Sequence, residues 1–235
     1  MASRQEEKEA RRRARLEQEE KERKAQSRRR RVQLVFGGLI GVAIVAALVF
    51  VVIGGAGGGN DEEEAGPRVA AASDVKLPPQ QESDVEVAAK AAGCDLEHPP
   101  NEGAGHETRE FTPADYKTNP PTSGAHFPQW AQDGIYDPGN SAPLGELVHS
   151  LEHGRINVQY KPGTPQQVID QLEAFVAENG GYHMLLYENT TDMPYQVAVT
   201  AWNQLLGCDE VGDKTWDALR TFRDRYIDKG PEQVP

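Results

Sequence analysis

Apolar residues follow two different patterns along this chain. Residues 32–53 form one stretch of 22 residues without a charge, in which Gln33 is the single amide. At about 1.5 Å per residue, a helix of this length spans a hydrocarbon core of about 30 Å, so the stretch predicts one transmembrane helix. From about residue 84 onward, apolar residues recur at the spacings of amphipathic strands and helices, which predicts a folded domain.

This domain is expected to be of the α+β class. Residues 155–160 alternate as a strand does, and apolar residues at helical spacing follow until the glycine pair at residues 180–181. Two more strands are predicted at residues 183–187 and 195–202, and a last helix after Asp213. The order β-α-β-β-α predicts a small mixed sheet whose first crossover makes a parallel pair and whose later hairpin makes an antiparallel one.

Composition divides the chain into four segments. Residues 1–31 alternate Glu with Lys and Arg and predict a charged juxtamembrane helix, which precedes the transmembrane helix. Residues 54–83 are rich in Gly, Pro and acidic residues and predict a flexible acidic linker. Residues 84–235 are then the folded domain, whose N-terminal half is rich in Pro, Gly and Asn and is expected to consist mainly of loops.

The charge distribution predicts how the chain is oriented. Residues 1–31 carry 13 Lys or Arg and 7 Glu, whereas residues 54–235 carry 12 Lys or Arg and 30 acidic residues. Four arginines at residues 28–31 directly precede the apolar stretch, which predicts a cytoplasmic N-terminus and an extracytoplasmic domain, held in the cell membrane by an uncleaved single-pass signal anchor. A cleaved signal peptide is the alternative, although its apolar core is usually about 7–15 residues long. The interspersed glutamates argue against nucleic acid as a partner.

The two cysteines, Cys94 and Cys208, lie at opposite ends of the predicted domain. In an oxidising compartment they are expected to form a disulfide, which would contribute about 4 kcal/mol in the chain-entropy model. The alternative is two unrelated buried thiols.

Two histidines are spaced as metal ligands on a helix. If residues 144–153 are helical, His149 and His153 leave the same face one turn apart, as two ligands of one ion must. Glu152 falls on that face too and is expected to orient a ring or a bound water.

A third histidine lies in a loop that the sequence predicts to be rigid. His126 ends residues 119–126, where two prolines fix φ and a Ser-Gly pair supplies a turn. Together with the helical histidines it predicts a zinc or copper site, with His106, Met184 or water in the fourth position.

Three functions agree with this pattern. The first is a metal-binding domain at the membrane. Because the domain would be tethered beside the membrane, its expected role is to handle copper or to deliver it to a protein partner. The second is a zinc hydrolase, because residues 149–153 match the HxxEH order of inverted zinc proteases, in which Glu152 would be the general base. The third is a structural or interaction module whose histidines hydrogen-bond loops together.

Two motifs, PPTSGAH ending at His126 and HSLEHG beginning at His149, together with Trp202, resemble the DUF3105 family, whose function is unknown. The resemblance covers roughly residues 106–226 and implies the identity of the domain, not an activity. Members are mostly membrane-anchored bacterial proteins. The motif residues here are His106, Pro120, Pro121, Ser123, Gly124, His126, His149, Glu152, His153, Gly154 and Trp202.

Overall fold

A computed structural model describes residues 66–71 and 74–232 of the chain. The predicted juxtamembrane helix, the transmembrane helix at residues 32–53 and the first part of the linker lie outside the described residues. None of the helices that the structure describes combines the length and the apolar character needed to cross a bilayer. The described residues all belong to one compact unit.

This unit contains a six-stranded mixed sheet and four α-helices among its described residues, which agrees with the predicted α+β class. In chain order the elements are α1 (Val85–Ala92), β1 (Asp95–Glu97), β2 (Gly134–Ile135), α2 (Leu144–Glu152), β3 (Ile156–Tyr160), α3 (Gln166–Glu178), β4 (Met184–Glu188), β5 (Val197–Ala201), β6 (Gln204–Cys208) and α4 (Thr215–Tyr226). The strands lie in the sheet in the order β1-β6-β5-β3-β4-β2.

The predicted parallel crossover is confirmed. Strands β3 and β4 pair in parallel, with Ile156 opposite Met184 and Tyr160 opposite Glu188, and helix α3 connects them. Every residue of β3 is buried, as expected for a strand that is covered on both faces.

The predicted hairpin of the strands at residues 183–187 and 195–202 is wrong. Strand β5 pairs antiparallel with β3 on one side and with β6 on the other, so β4 and β5 are not neighbours. The hairpin is instead β5-β6, which turns through Trp202 and Asn203 between the paired residues Ala201 and Gln204. Asn203 has φ +59°, a left-handed conformation that asparagine tolerates better than most residues.

The two faces of the sheet are covered by different elements. Helices α1, α3 and α4 bury an apolar cluster against one face, with Phe175, Trp216 and Phe222 at its centre. Helix α2 and the loops at residues 98–143 cover the opposite face. The loop-rich N-terminal half that the sequence predicts is therefore an ordered layer of the domain. The predicted disulfide between Cys94 and Cys208 is present and joins the end of α1 to β6.

The folded unit begins before the predicted boundary at residue 84. Arg68 pairs with Ile135 through two backbone hydrogen bonds of 2.7 and 2.8 Å at the edge of the sheet. Its guanidinium also contacts Glu173, at 2.9 Å. Farther along, the carbonyl of Pro78 accepts a hydrogen bond from Arg220 on α4. The described part of the predicted linker therefore packs on the domain.

Candidate metal centre

Helix α2 fixes one half of the candidate site. Leu147 and Leu151 pack into apolar clusters on the inner side of the helix, and they leave His149 and Glu152 buried beside them. The helix ends at Glu152 with His153 as its C-cap, and Gly154 follows with φ +79°. A Cβ on this glycine would also lie 2.8 Å from the Cα of Asp228, so only glycine fits this turn.

The other half of the site comes from two loop segments that run side by side. The amide of Gly124 donates to the carbonyl of Gly103 (3.0 Å), and the amide of His126 donates to the carbonyl of Gly105 (2.9 Å). This pairing places His106 and His126 in parallel register across a bridge. His106 is one of the three candidates for the fourth ligand that the sequence offers, and the backbone pairing explains why it lies beside the loop histidine.

Backbone carbonyls fix the tautomers of two rings. The Nδ1 atom of His126 lies 2.8 Å from the carbonyl of Gly124, and that of His149 lies 2.7 Å from the carbonyl of Phe127. A carbonyl can only accept, so each Nδ1 carries the proton, and each Nε2 of a neutral ring presents a lone pair. Metal-binding histidines are commonly oriented by such a bond from the second ring nitrogen.

Four side chains then converge on one point. His106, His126, His149 and Glu152 each place one ligand atom within 4.8 Å of all the others. The Oε2 atom of Glu152 lies 3.0 Å from Nε2 of His126 and 3.4 Å from Nε2 of His106. Ligand atoms around a tetrahedral zinc ion lie roughly 3.3 Å apart, given bonds of about 2.0–2.1 Å. We call these four residues the inner group.

Two atoms of the inner group are buried without a hydrogen-bond partner. They are Nε2 of His126 and Oε2 of Glu152, which face each other. A lone pair and a carboxylate oxygen at this distance repel each other unless a proton or a cation lies between them. The donor set therefore fits a metal ion, and the ion would satisfy both atoms at once.

Burial disfavours the charged forms of four side chains at this site. It lowers the pKa of His126 and of His149, and it lowers the pKa of His153 to about 4. It raises the pKa of Glu152. At neutral pH the imidazoles of these three histidines are therefore neutral, which is the form that binds a metal, and a bound cation would offset the cost of a buried carboxylate at Glu152.

His153 belongs to a second, adjoining group. Its Nε2 atom lies 2.9 Å from Nε2 of His149 and 3.5 Å from Oε2 of Glu232. Trp130 covers both rings, with its centroid 4.8 Å from that of His153 and 5.8 Å from that of His149. We call His149, His153 and Glu232 the outer group; it is the second set of described residues whose ligand atoms lie close enough to share an ion.

The structure thus brings the predicted ligands together but distributes them differently. The centroids of His126 and His149 lie 4.7 Å apart, within reach of one ion, while Glu152 contributes an atom to the inner group itself. Met184 is fully buried in the apolar cluster on the opposite face of the sheet, so it is not the fourth ligand. Sequence reasoning missed Glu232, because no motif surrounds this carboxylate near the end of the chain.

Comparison with known proteins identifies the family. The family model described as a protein of unknown function, DUF3105, matches residues 107–234, more than half of the chain. This chain belongs to the DUF3105 family. The matched range contains His126, His149, Glu152, His153 and Glu232, and it begins one residue after His106. Neither the curated proteins nor the solved structures contain a significant match.

Proposed function

We propose that this DUF3105 domain binds one divalent transition metal ion, zinc or copper, in the inner group. The observation that carries the proposal is the pair of unpartnered buried atoms, Nε2 of His126 and Oε2 of Glu152, which face each other at 3.0 Å. A single proton could satisfy that pair alone. An ion would also satisfy His106 and His149, whose ligand atoms lie beside it.

The donor chemistry favours a divalent ion. Three imidazoles and a carboxylate suit zinc or copper(II), whereas copper(I) is usually bound by sulfur. Both cysteines are in the disulfide and Met184 is in the apolar core, so none of these sulfur atoms is offered to the site.

The proposed role of this site is to handle a metal ion at the outer face of a membrane, or to deliver the ion to a protein partner there. Its support is the sequence: the uncharged stretch of 22 residues, the four preceding arginines and the acidic character of residues 54–235. A tether next to the membrane would keep the bound ion close to membrane proteins that need it.

A zinc hydrolase with Glu152 as general base stays the alternative. In that enzyme His149 and His153 would bind the ion, and Glu152 would hold the attacking water instead of the metal. Glu152 would therefore be a metal ligand in the first function and a general base in the second.

Metal analysis of the purified full-length chain, prepared without a histidine tag, tests the proposal. After reconstitution with zinc or copper, the wild type should retain about one equivalent, whereas less than about a tenth would favour a purely structural role for the histidines. Glu152→Gln should lose most of the metal if Glu152 is a ligand. Full retention of zinc together with a lost hydrolytic activity would instead support the hydrolase.

A further inference from the structure

His149 belongs to both the inner and the outer group, and it has only one lone pair to offer. Its Nδ1 atom is committed to the carbonyl of Phe127, at 2.7 Å, so Nε2 is the atom that can bind a metal. A neutral imidazole nitrogen binds a single ion. The two groups therefore cannot each hold an ion at the same time. They are two alternative positions for one ion.

The outer group combines buried ligands with one exposed ligand. The His153 side chain is only 3% exposed, whereas the Glu232 side chain is 54% exposed. Trp130, which is 44% exposed, forms the wall between the two histidine rings and solvent. An ion at this position could keep contact with water or with a donor through the Glu232 carboxylate.

The backbone that carries Glu232 is fixed against the inner group. Its amide donates to the carbonyl of Glu152 at 3.1 Å, and the amide of Asp228 donates to the carbonyl of Gly154 at 2.8 Å. Between them Gly230 lies so close to Glu152 that a Cβ would overlap the carbonyl oxygen. Residues 227–232 therefore form a strap across the end of α2, and this strap holds the Glu232 carboxylate beside His153.

We propose that the outer group is a transfer site, which accepts a divalent metal ion and passes it to the inner group by ligand exchange at His149. This inference rests on the proposed function. During the exchange Nε2 of His149 stays bound and the charge of the ion does not change. The ligand atoms of His153 and Glu232 leave, and those of His126 and Glu152 take their places, with His106 completing the inner set.

Stopped-flow absorption of Co²⁺ binding to the metal-free full-length chain tests this path. The wild type should bind one ion in two phases with different visible spectra, because the ligands differ between the two positions. Glu232→Gln should remove the first phase and slow loading by about tenfold, a loss typical of removing one supporting ligand, while the final spectrum stays unchanged. Glu86→Gln is the matched control, since it removes one exposed carboxylate on α1 and should load like the wild type.

A second variant holds the ion at the first position. His126→Asn should bind Co²⁺ more weakly and stop at the spectrum of the first phase, and His126→Gln provides the same test if the asparagine variant does not fold. Loading of the wild type in one phase, at a rate that Glu232→Gln does not change, would overturn the transfer site and indicate entry past His106. Two ions per chain would overturn it as well. Absence of any Co²⁺ binding in the wild type would overturn the proposed function itself.

Discussion

The two faces of the sheet are built for different purposes. On one face, three helices bury large apolar side chains, among them Phe175 and Trp216, whose exposure is 0% and 1%. On the other face, the same strands present Asn157, Gln159 and Thr200, all buried and polar, to α2 and the loops. The first face supplies most of the hydrophobic free energy of folding, so the second face can accommodate buried polar groups.

Most of these polar groups are satisfied, which limits their cost. The Asn157 amide donates to the carbonyl of Leu147 on α2 at 2.9 Å, and the Gln159 amide donates to Thr200 at 3.0 Å. The Oδ1 atom of Asn157 has no partner, but it stands alone, whereas in the inner group two unpartnered atoms, Nε2 of His126 and Oε2 of Glu152, face each other at 3.0 Å. Buried polar atoms without partners cost about 1–3 kcal/mol each, so this part of the second face has a physical reason to bind a cation.

The largest expected effect lies on the apolar face. Phe175→Ala should lower the free energy of unfolding by about 3–5 kcal/mol, because a fully buried ring is lost and a cavity remains. Urea unfolding of the full-length chain measures this loss with and without zinc. The loss should be the same in both conditions, and a loss that disappears when zinc is bound would show that the two faces are not separate.

Zinc should stabilise the polar face by less than this. At a free concentration of about 100 times Kd, binding to the folded state adds about 2.7 kcal/mol to the free energy of unfolding. Thermal unfolding followed by circular dichroism should show a higher Tm for the wild type and a much smaller rise for Glu152→Gln, in which only the outer group can still bind the ion. A rise of equal size in Glu152→Gln would place the ion elsewhere.

Acid should weaken the metal-free domain through the site histidines. Burial lowers the pKa of His153 to about 4, whereas an imidazole in the unfolded chain titrates at about 6.5. As the pH falls below 6.5, this histidine is therefore protonated in the unfolded state but not in the folded state. Between pH 7.5 and pH 5.5 His153 alone should cost about 1 kcal/mol of stability.

Urea unfolding of wild type and His153→Asn at both pH values isolates this contribution. The variant should lose less stability on acidification than the wild type. The raised pKa of Glu152 acts in the opposite direction, since it favours the folded state as the pH falls. Equal losses in wild type and variant would show that His153 is not held in its neutral form by burial.

The smallest expected effect concerns the segment before α1. Arg68→Ala removes ion pairs to Asp137 and Glu173 but leaves the backbone pairing with Ile135 in place. Because these charges are largely exposed, the free energy of unfolding should change by no more than about 1 kcal/mol, and zinc binding should not change. A change in zinc affinity would connect this segment to the site.

The sequence predicted the parts of the fold that have strong periodicity. The β3-α3-β4 crossover follows from alternating and helical spacings, and the disulfide follows from two cysteines in an oxidising context. Strand β6 was missed because it is short and follows a two-residue turn whose signal is Asn203 alone. Strands β1 and β2 have only three and two residues, too few to show a pattern.

The sequence predicted most of the residues of the candidate site but not how they are arranged around an ion. The spacing of His149 and His153 suggested a shared ion, but the fold places the loop histidines on the side of His149 and the C-terminal strap on the side of His153. That distribution depends on tertiary contacts such as the pairing of residues 103–107 with 124–126. Helical spacing carries no information about such contacts.

X-ray absorption spectroscopy of the zinc-loaded full-length chain is the most direct test of the metal centre. An ion in the inner group should show a first shell of nitrogen and oxygen at about 2.0–2.1 Å, with outer-shell scattering from three imidazole rings that weakens in His126→Asn. A sulfur shell at about 2.3 Å, or a shell of water oxygens without imidazole scattering, would contradict it.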